Sequence, residues 1–151
     1  MTMRFPDRHF SVKQPLLTLG GRMVRPRPII DLTVIGPADS RLLSGVLDTG
    51  VDDTVFPDSL AAKLGIDLSN APTATSIGVG SSPFVVSLAE VTLRIADANE
   101  QREWLAWVGF TTAPLRLPLL GHAGFLHFFT ASFYGEREEV ELTVNAAYPG
   151  I

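Results

Sequence analysis

The chain has 151 residues, a length close to the usual size of one domain and enough to bury a core. Its formal net charge is −4. Hydrophobic residues make up 46% and charged residues 19%, and the 13 glycines and 11 prolines favour a turn-rich all-β protein over a helical bundle. The chain contains no cysteine, which excludes disulfides, thiolate nucleophiles and Cys-ligated zinc. Any chemistry must come from oxygen or histidine side chains.

Residues 1–28 form a basic N-terminal arm or extension. This segment holds six of the 12 Lys and Arg residues, four prolines and one acidic residue, Asp7, without sustained periodicity. The pattern predicts an extended arm or loop with one short strand. Few aromatic residues accompany the basic ones, which disfavours nucleic-acid binding. No apolar stretch of signal-peptide or membrane-spanning type is present, so we expect a cytoplasmic protein with no membrane partner.

From residue 29 onward, alternating apolar residues predict short strands separated by turns. The expected strands are 30–34, 42–47, 73–76, 84–88, 91–95, 104–110 and 140–144. Two short helices are also expected, one over 56–65 that ends at Gly65 and an aromatic-rich one over 124–129. Residues 77–82 are rich in glycine and serine and predict the tip of a β-hairpin.

The most informative segment is residues 46–55, Val46-Leu47-Asp48-Thr49-Gly50-Val51-Asp52-Asp53-Thr54-Val55, which leaves a predicted strand and enters a loop. A lone exposed aspartate titrates near pH 4, at about its ordinary pKa, and is a weak base at neutral pH. Two aspartates in contact share one proton, so one can act as general base and the other as general acid. The segment occurs once, so a site of this kind needs two chains.

This extended pattern closely resembles the active-site segment of the retroviral-type aspartic proteases, the retropepsins. Two more segments follow in that family's order. The hairpin tip at 77–80 is similar to the flap, and Leu119-Leu120-Gly121 resembles the apolar-apolar-Gly segment. The resemblance covers roughly residues 29–144. It implies a closed acid-protease-type barrel lobe with a flap hairpin, working as a homodimer, and it makes 29–151 the protease domain.

The resemblance also implies a reaction and its residues. Asp48 would be the catalytic carboxylate, and two copies of it would activate a water that attacks a peptide carbonyl. Thr49 would join a hydroxyl network between the subunits, and Gly50 would accept a hydrogen bond from the substrate backbone. The implied reaction needs no metal and no cofactor.

The partner implied by the resemblance is a peptide or protein substrate bound as an extended strand. Asp52 and Asp53 would line the cleft, and the alternative interpretation, stronger for Asp53 than for Asp52, is a solvated turn residue. Closure over the substrate is assigned to the hairpin tip, Ile77, Gly78, Val79 and Gly80, whose alternative interpretation is an ordinary surface hairpin.

His122 departs from the family pattern. In retroviral members an arginine follows the glycine of the third segment and pairs with the carboxylate at the position of Asp52. We hypothesise that protonated His122 takes that place and strengthens the dimer in mild acid, the alternative being a structural histidine. A second hypothesis is that the basic arm meets the glutamate-rich last strand, across the twofold axis or within one chain.

Two other functions are compatible with the sequence. One is a catalytically silent dimerisation or peptide-binding module with the retropepsin fold, and the other is a monomeric β-barrel binding domain with a chance Asp-Thr-Gly. The intact Asp48-Thr49-Gly50 favours a protease, because a binding module has little need for a pair of carboxylates.

Overall fold

The computed structural model describes residues 2–77 and 82–151, which form a mainly β protein with twelve strands. In chain order the strands are β1 Thr2–Pro6, β2 Arg8–Leu16, β3 Arg22–Arg27, β4 Ile29–Ile35, β5 Ser40–Leu47, β6 Val55–Pro57, β7 Thr73–Ser76, β8 Phe84–Ala96, β9 Gln101–Thr111, β10 Leu119–Leu120, β11 Phe129–Tyr134 and β12 Glu139–Val144. The helices within these residues are α1, Asp58–Leu64, and two 3₁₀ turns, Leu17–Leu19 and Leu126–Phe128. The predicted all-β class is confirmed.

Seven strands form one sheet in the order β4-β5-β10-β6-β9-β8-β7. Strand β4 also pairs with β8 through Thr33–Ile35, which joins six of these strands in a ring. Strand β10 runs parallel to β5 and antiparallel to β6. A second sheet has the order β1-β12-β11, and β2 pairs with β3 in a separate hairpin.

Alternating side chains place one face of each long strand in the core, since successive residues of a strand point to opposite faces. On β4 the apolar residues Ile30, Leu32 and Val34 are buried. Trp104 on β9 is only 2% exposed and donates its Nε1–H to the carbonyl of Gly124 at 3.0 Å. Its ring makes edge contacts with four aromatic rings, Phe125, Phe128, Phe129 and Tyr148.

One of the two predicted helices is confirmed. Helix α1 ends at Gly65, whose left-handed backbone (φ 78°) lets its N–H reach the last turn. The predicted helix at 124–129 is wrong beyond a three-residue 3₁₀ turn. Phe125 and Phe129 are both buried, which imitates helical spacing, but Phe129 begins β11 because its backbone pairs with Val144 of β12.

The N-terminal segment forms three strands where one short strand was expected. Strand β1 pairs with β12 and buries Met3 and Phe5 in the core. Strands β2 and β3 pair with each other around Gly20-Gly21, both of which have positive φ. The division of the chain at residue 28 stays a prediction.

The basic arm and the acidic last strand meet within one chain. Arg4 on β1 contacts Glu141 on β12 at 3.1 Å, and both Arg22 and His9 bind Glu138. The hydrogen bonds from Arg22 and His9 lower the pKa of Glu138 from its ordinary 4.5 to about 2. This carboxylate therefore ties the β2–β3 hairpin to the turn before β12. A contact across a twofold axis stays a prediction.

Candidate functional site

Asp48 is the first residue after β5, and backbone bonds hold it there. Its N–H donates to the carbonyl of Leu120 at 3.1 Å, and its Oδ1 accepts the N–H of Gly50 at 2.8 Å. The side chain of Asp48 is half-buried, while Thr49 is exposed. The loop therefore presents a fixed carboxylate at the end of a strand.

Strand β10 passes between the two strands that flank the Asp48 loop. Leu119 pairs with Val46 of β5 on one side and with Val55 of β6 on the other. Both of its backbone edges are thus occupied by the two ends of one loop. The third sequence segment is brought against the first by sheet pairing rather than by proximity in the chain.

The chain continues from β10 along the inside of the loop. The N–H of Ala123 donates to the carbonyl of Asp52 at 2.8 Å, and the carbonyl of Ala123 accepts the N–H of Thr54 at 3.0 Å. The N–H of His122 donates to the carbonyl of Val51 at 3.1 Å. Residues 51–54 are therefore held by a ladder of bonds to 122–123.

Gly121 has a steric reason to be glycine. A Cβ at this position would lie 2.2 Å from the carbonyl oxygen of Asp53 and 2.7 Å from that of Val51. Both atoms belong to the loop backbone, which could make room only by moving away from β10. The glycine in the motif Leu119-Leu120-Gly121 is what allows the loop to pack this closely.

Thr54 is a site residue to which the sequence assigned no role. It is fully buried, and its hydroxyl donates to the carbonyl of Ala123 at 2.8 Å, beside the bond from its own N–H. A buried hydroxyl that anchors a loop is hard to recognise from sequence, because threonine also suits a strand. Its position at the end of the Asp-Thr-Gly run was the available indication.

The two paired strands of the predicted hairpin, β7 and β8, are confirmed. Strands β7 and β8 pair from Thr73 with Ser87 to Ser76 with Phe84. Ile77, the first residue after β7, is 51% exposed. The remaining predicted tip residues, Gly78, Val79 and Gly80, lie outside the described residues.

A cleft of about 920 Å³ lies beside Asp48. Ser44, Val46 and Asp48 line it together, since residues two apart on β5 share a face. The other lining residues come mainly from the β2–β3 hairpin and from residues 114–119. Of the predicted site residues that the structure describes, Asp48 alone lines this cleft; the others are Thr49, Gly50, Asp52, Asp53 and Ile77.

The cleft is rich in arginine, which sequence reasoning did not place there. Arg8, Arg25, Arg27 and Arg116 line it. The sequence showed the basic cluster in residues 1–28 but indicated a solvated or docking arm. The path of the β2–β3 hairpin brings Arg8, Arg25 and Arg27 to the cleft that Asp48 also lines, and Arg116 comes from the segment before β10.

Arg8 already has a carboxylate partner. Its guanidinium contacts Asp31 at 3.0 Å and the Ser44 hydroxyl at 2.9 Å, and that hydroxyl also donates to Asp31 at 2.6 Å. The hydrogen bonds from Ser44 and then Arg8 lower the pKa of Asp31. This cluster connects the β2–β3 hairpin to β4 and β5.

His122 is exposed, and the centroid of its ring lies 5.3 Å from that of His127. Within residues 2–77 and 82–151 it forms no ion pair with Asp52, although the backbones of 51–52 and 122–123 are hydrogen-bonded. The hypothesis that His122 strengthens a dimer in mild acid stays a prediction.

No protein-family model matches the chain, and no curated protein matches it either. The described residues contain no group of three or more His, Asp or Glu side chains arranged to hold a metal ion. No helix among them has the length and apolar character needed to cross a bilayer.

Proposed function

We propose that this protein is a retropepsin-like aspartic endopeptidase, in which two copies of Asp48 meet at the twofold axis of a homodimer. One observation carries the proposal: Asp48 is a half-buried carboxylate fixed by the N–H of Gly50 beside a cleft of about 920 Å³. Its loop is locked from inside by β10 and Gly121. Such fixed geometry is what a general acid–base group requires.

The dyad follows from the chemistry of one carboxylate. Asp48 is the one acidic residue among the described residues that line the cleft. Two facing copies share a proton, so one carboxylate is ionised and the other is protonated. The ionised carboxylate takes a proton from water while the water oxygen bonds to the peptide carbonyl carbon. The protonated copy donates to the carbonyl oxygen. The carboxyl that took the proton from water then gives a proton to the amide nitrogen, and the C–N bond breaks with release of the amine.

A homodimer supplies the second carboxylate without a second motif. Twofold symmetry brings the same residue of each chain to the axis, so a half-buried Asp48 can face its own copy. Exposed Thr49 would form the hydroxyl network between the subunits. The six-strand ring would be the closed barrel lobe, and the β7–β8 hairpin would carry the flap, with Asp52 and Asp53 near the bound peptide.

The first test compares cleavage of a peptide library at mildly acidic pH by the wild type and by Asp48→Asn. The variant keeps the size of the side chain but cannot hold the shared negative charge, so cleavage should fall by at least about a hundredfold. Asp58→Asn is the matched control, because Asp58 is exposed in the first turn of α1 and outside the cleft. Equal cleavage by the wild type and by Asp48→Asn would contradict the proposal. Peptide binding by the wild type without cleavage would identify a silent binding module.

The second test measures whether one site needs two chains. A fixed amount of wild type is mixed with an equal amount of Asp48→Asn and given time to exchange subunits. Mixed dimers would have one carboxylate, so the wild-type rate should fall to about half if pairing is random. An unchanged rate at complete exchange would contradict the dyad.

A further inference from the structure

The arginines that line the cleft differ from the other arginines of the chain. The sequence contains ten arginines. Seven of them form an ion pair with a carboxylate. The three that have no carboxylate partner among the described residues are Arg25, Arg27 and Arg116, and all three line the cleft beside Asp48. The arginines without a carboxylate partner among the described residues are therefore concentrated at one place.

The register of the hairpin explains how two of these arginines reach the cleft. Arg8 on β2 lies opposite Arg27 on β3, and Phe10 lies opposite Arg25. Residues two apart on a strand share a face, so these four side chains point to the same side. Like charges directly opposite each other destabilise a strand pair. Asp31 offsets the charge of Arg8 and so reduces the repulsion between Arg8 and Arg27. Arg27 itself has no carboxylate partner among the described residues.

The three guanidinium groups are accessible. Arg27 and Arg116 are exposed, and Arg25 is half-buried. Arg27 lies over the ring of Phe10 at 5.9 Å, which orients its planar group. A guanidinium binds a carboxylate through two parallel hydrogen bonds, so it recognises this group better than a lysine would. Each of these arginines can therefore bind a carboxylate from outside the chain.

Apolar residues share the cleft with the arginines. Val12 and Phe10 come from the hairpin, Val46 comes from β5, and Leu115 and Leu117 come from the segment before β10. A cleft lined by both apolar and cationic side chains suits an extended peptide that carries both apolar and acidic side chains. Phe10 is the one aromatic ring among the described lining residues, so the cleft offers few surfaces for stacking nucleic-acid bases.

We propose that Arg25, Arg27 and Arg116 make this cleft selective for peptides that carry Asp or Glu side chains close to the bond beside Asp48. The inference rests on the proposed function, since it assigns the substrate class of the same cleft. It concerns binding, however, and binding can be measured without cleavage.

The test measures how tightly the Asp48→Asn protein binds two peptides. One is an acetylated octapeptide of alternating Leu and Glu, and the other has Gln in place of each Glu. The acidic peptide should bind more tightly, by roughly fivefold for each arginine that meets a carboxylate in a solvent-open site. The preference should shrink as salt is raised. Replacing Arg25, Arg27 and Arg116 by glutamine should remove it, whereas Arg41→Gln, whose arginine pairs with Asp39 outside the cleft, should retain it.

Several results would overturn the inference. These are equal affinity for the two peptides, no binding of either peptide, a preference that survives the triple replacement, or equally tight binding of a single-stranded oligonucleotide. If the triple variant fails to fold, Arg116→Gln alone should reduce the preference about fivefold, because one ion pair is lost. A preference for the acidic peptide without cleavage of any peptide would reject the protease and leave the acidic-peptide site standing.

Discussion

Gly121→Ala should destabilise the protein strongly, because the new Cβ would collide with the backbone of the Asp48 loop. It would lie 2.2 Å from the carbonyl oxygen of Asp53, where ordinary van der Waals contact begins at 3.4 Å. The loop must therefore move by about 1 Å. Overpacking of this kind costs about 1–3 kcal/mol, and weakening the neighbouring bonds from His122 and Ala123 adds about 1 kcal/mol for each bond lost.

The expected sum is about 4 kcal/mol of unfolding free energy, which lowers Tm by about 10 °C in a domain of this size. Thermal unfolding followed by circular dichroism measures it. Gly135→Ala is the matched control, since a Cβ there meets no heavy atom within 4 Å, and it should leave Tm within about 2 °C of the wild type. A Gly121→Ala protein as stable as this control would refute the proposed packing of the loop on β10.

Two further predictions concern the core and the arm. Trp104→Phe removes the Nε1–H that binds the carbonyl of Gly124 and replaces a buried ring with a smaller one. Urea unfolding should therefore show that the free energy of unfolding falls by about 2–3 kcal/mol. An unchanged free energy of unfolding would contradict the packing of the aromatic cluster. Arg22 and His9 lower the pKa of Glu138 to about 2, so their stabilisation is present above pH 4.5 and is lost as the pH falls towards 2. Glu138→Gln should therefore flatten the stability profile between these values; an unaltered profile would show that the contact is energetically silent.

Local pattern was sufficient to predict the strands in which apolar and polar residues alternate, such as β4 and β12, and helix α1 with its terminal Gly65. It was insufficient for β1. That strand is recognisable only by Met3 and Phe5, and its partner β12 lies more than a hundred residues away in the chain. Strand β2 is exposed along most of its length and exists through its pairing with β3 rather than through burial.

The candidate site was predictable in its parts and not in its arrangement. The Asp48 loop and the segment ending at Gly121 were both recognised from their residues, yet the interlocking of the two depends on sheet register. The basic composition of the arm was equally visible. Its arrival at the cleft is a consequence of the β2–β3 hairpin and of the Arg8–Asp31 contact, neither of which has a local sequence pattern.

The threading of β10 between β5 and β6 sets an order of events during synthesis. Thr54 and Ala123, which bind each other, are 69 positions apart. When the first hundred residues have been synthesised, the Asp48 loop is present but β10, which holds it, is not. Contacts between residues this distant in the chain form late in folding. A nascent or truncated chain would thus carry the aspartate without its fixed geometry, and the proposed hydrolytic activity would require the last third of the chain to be in place.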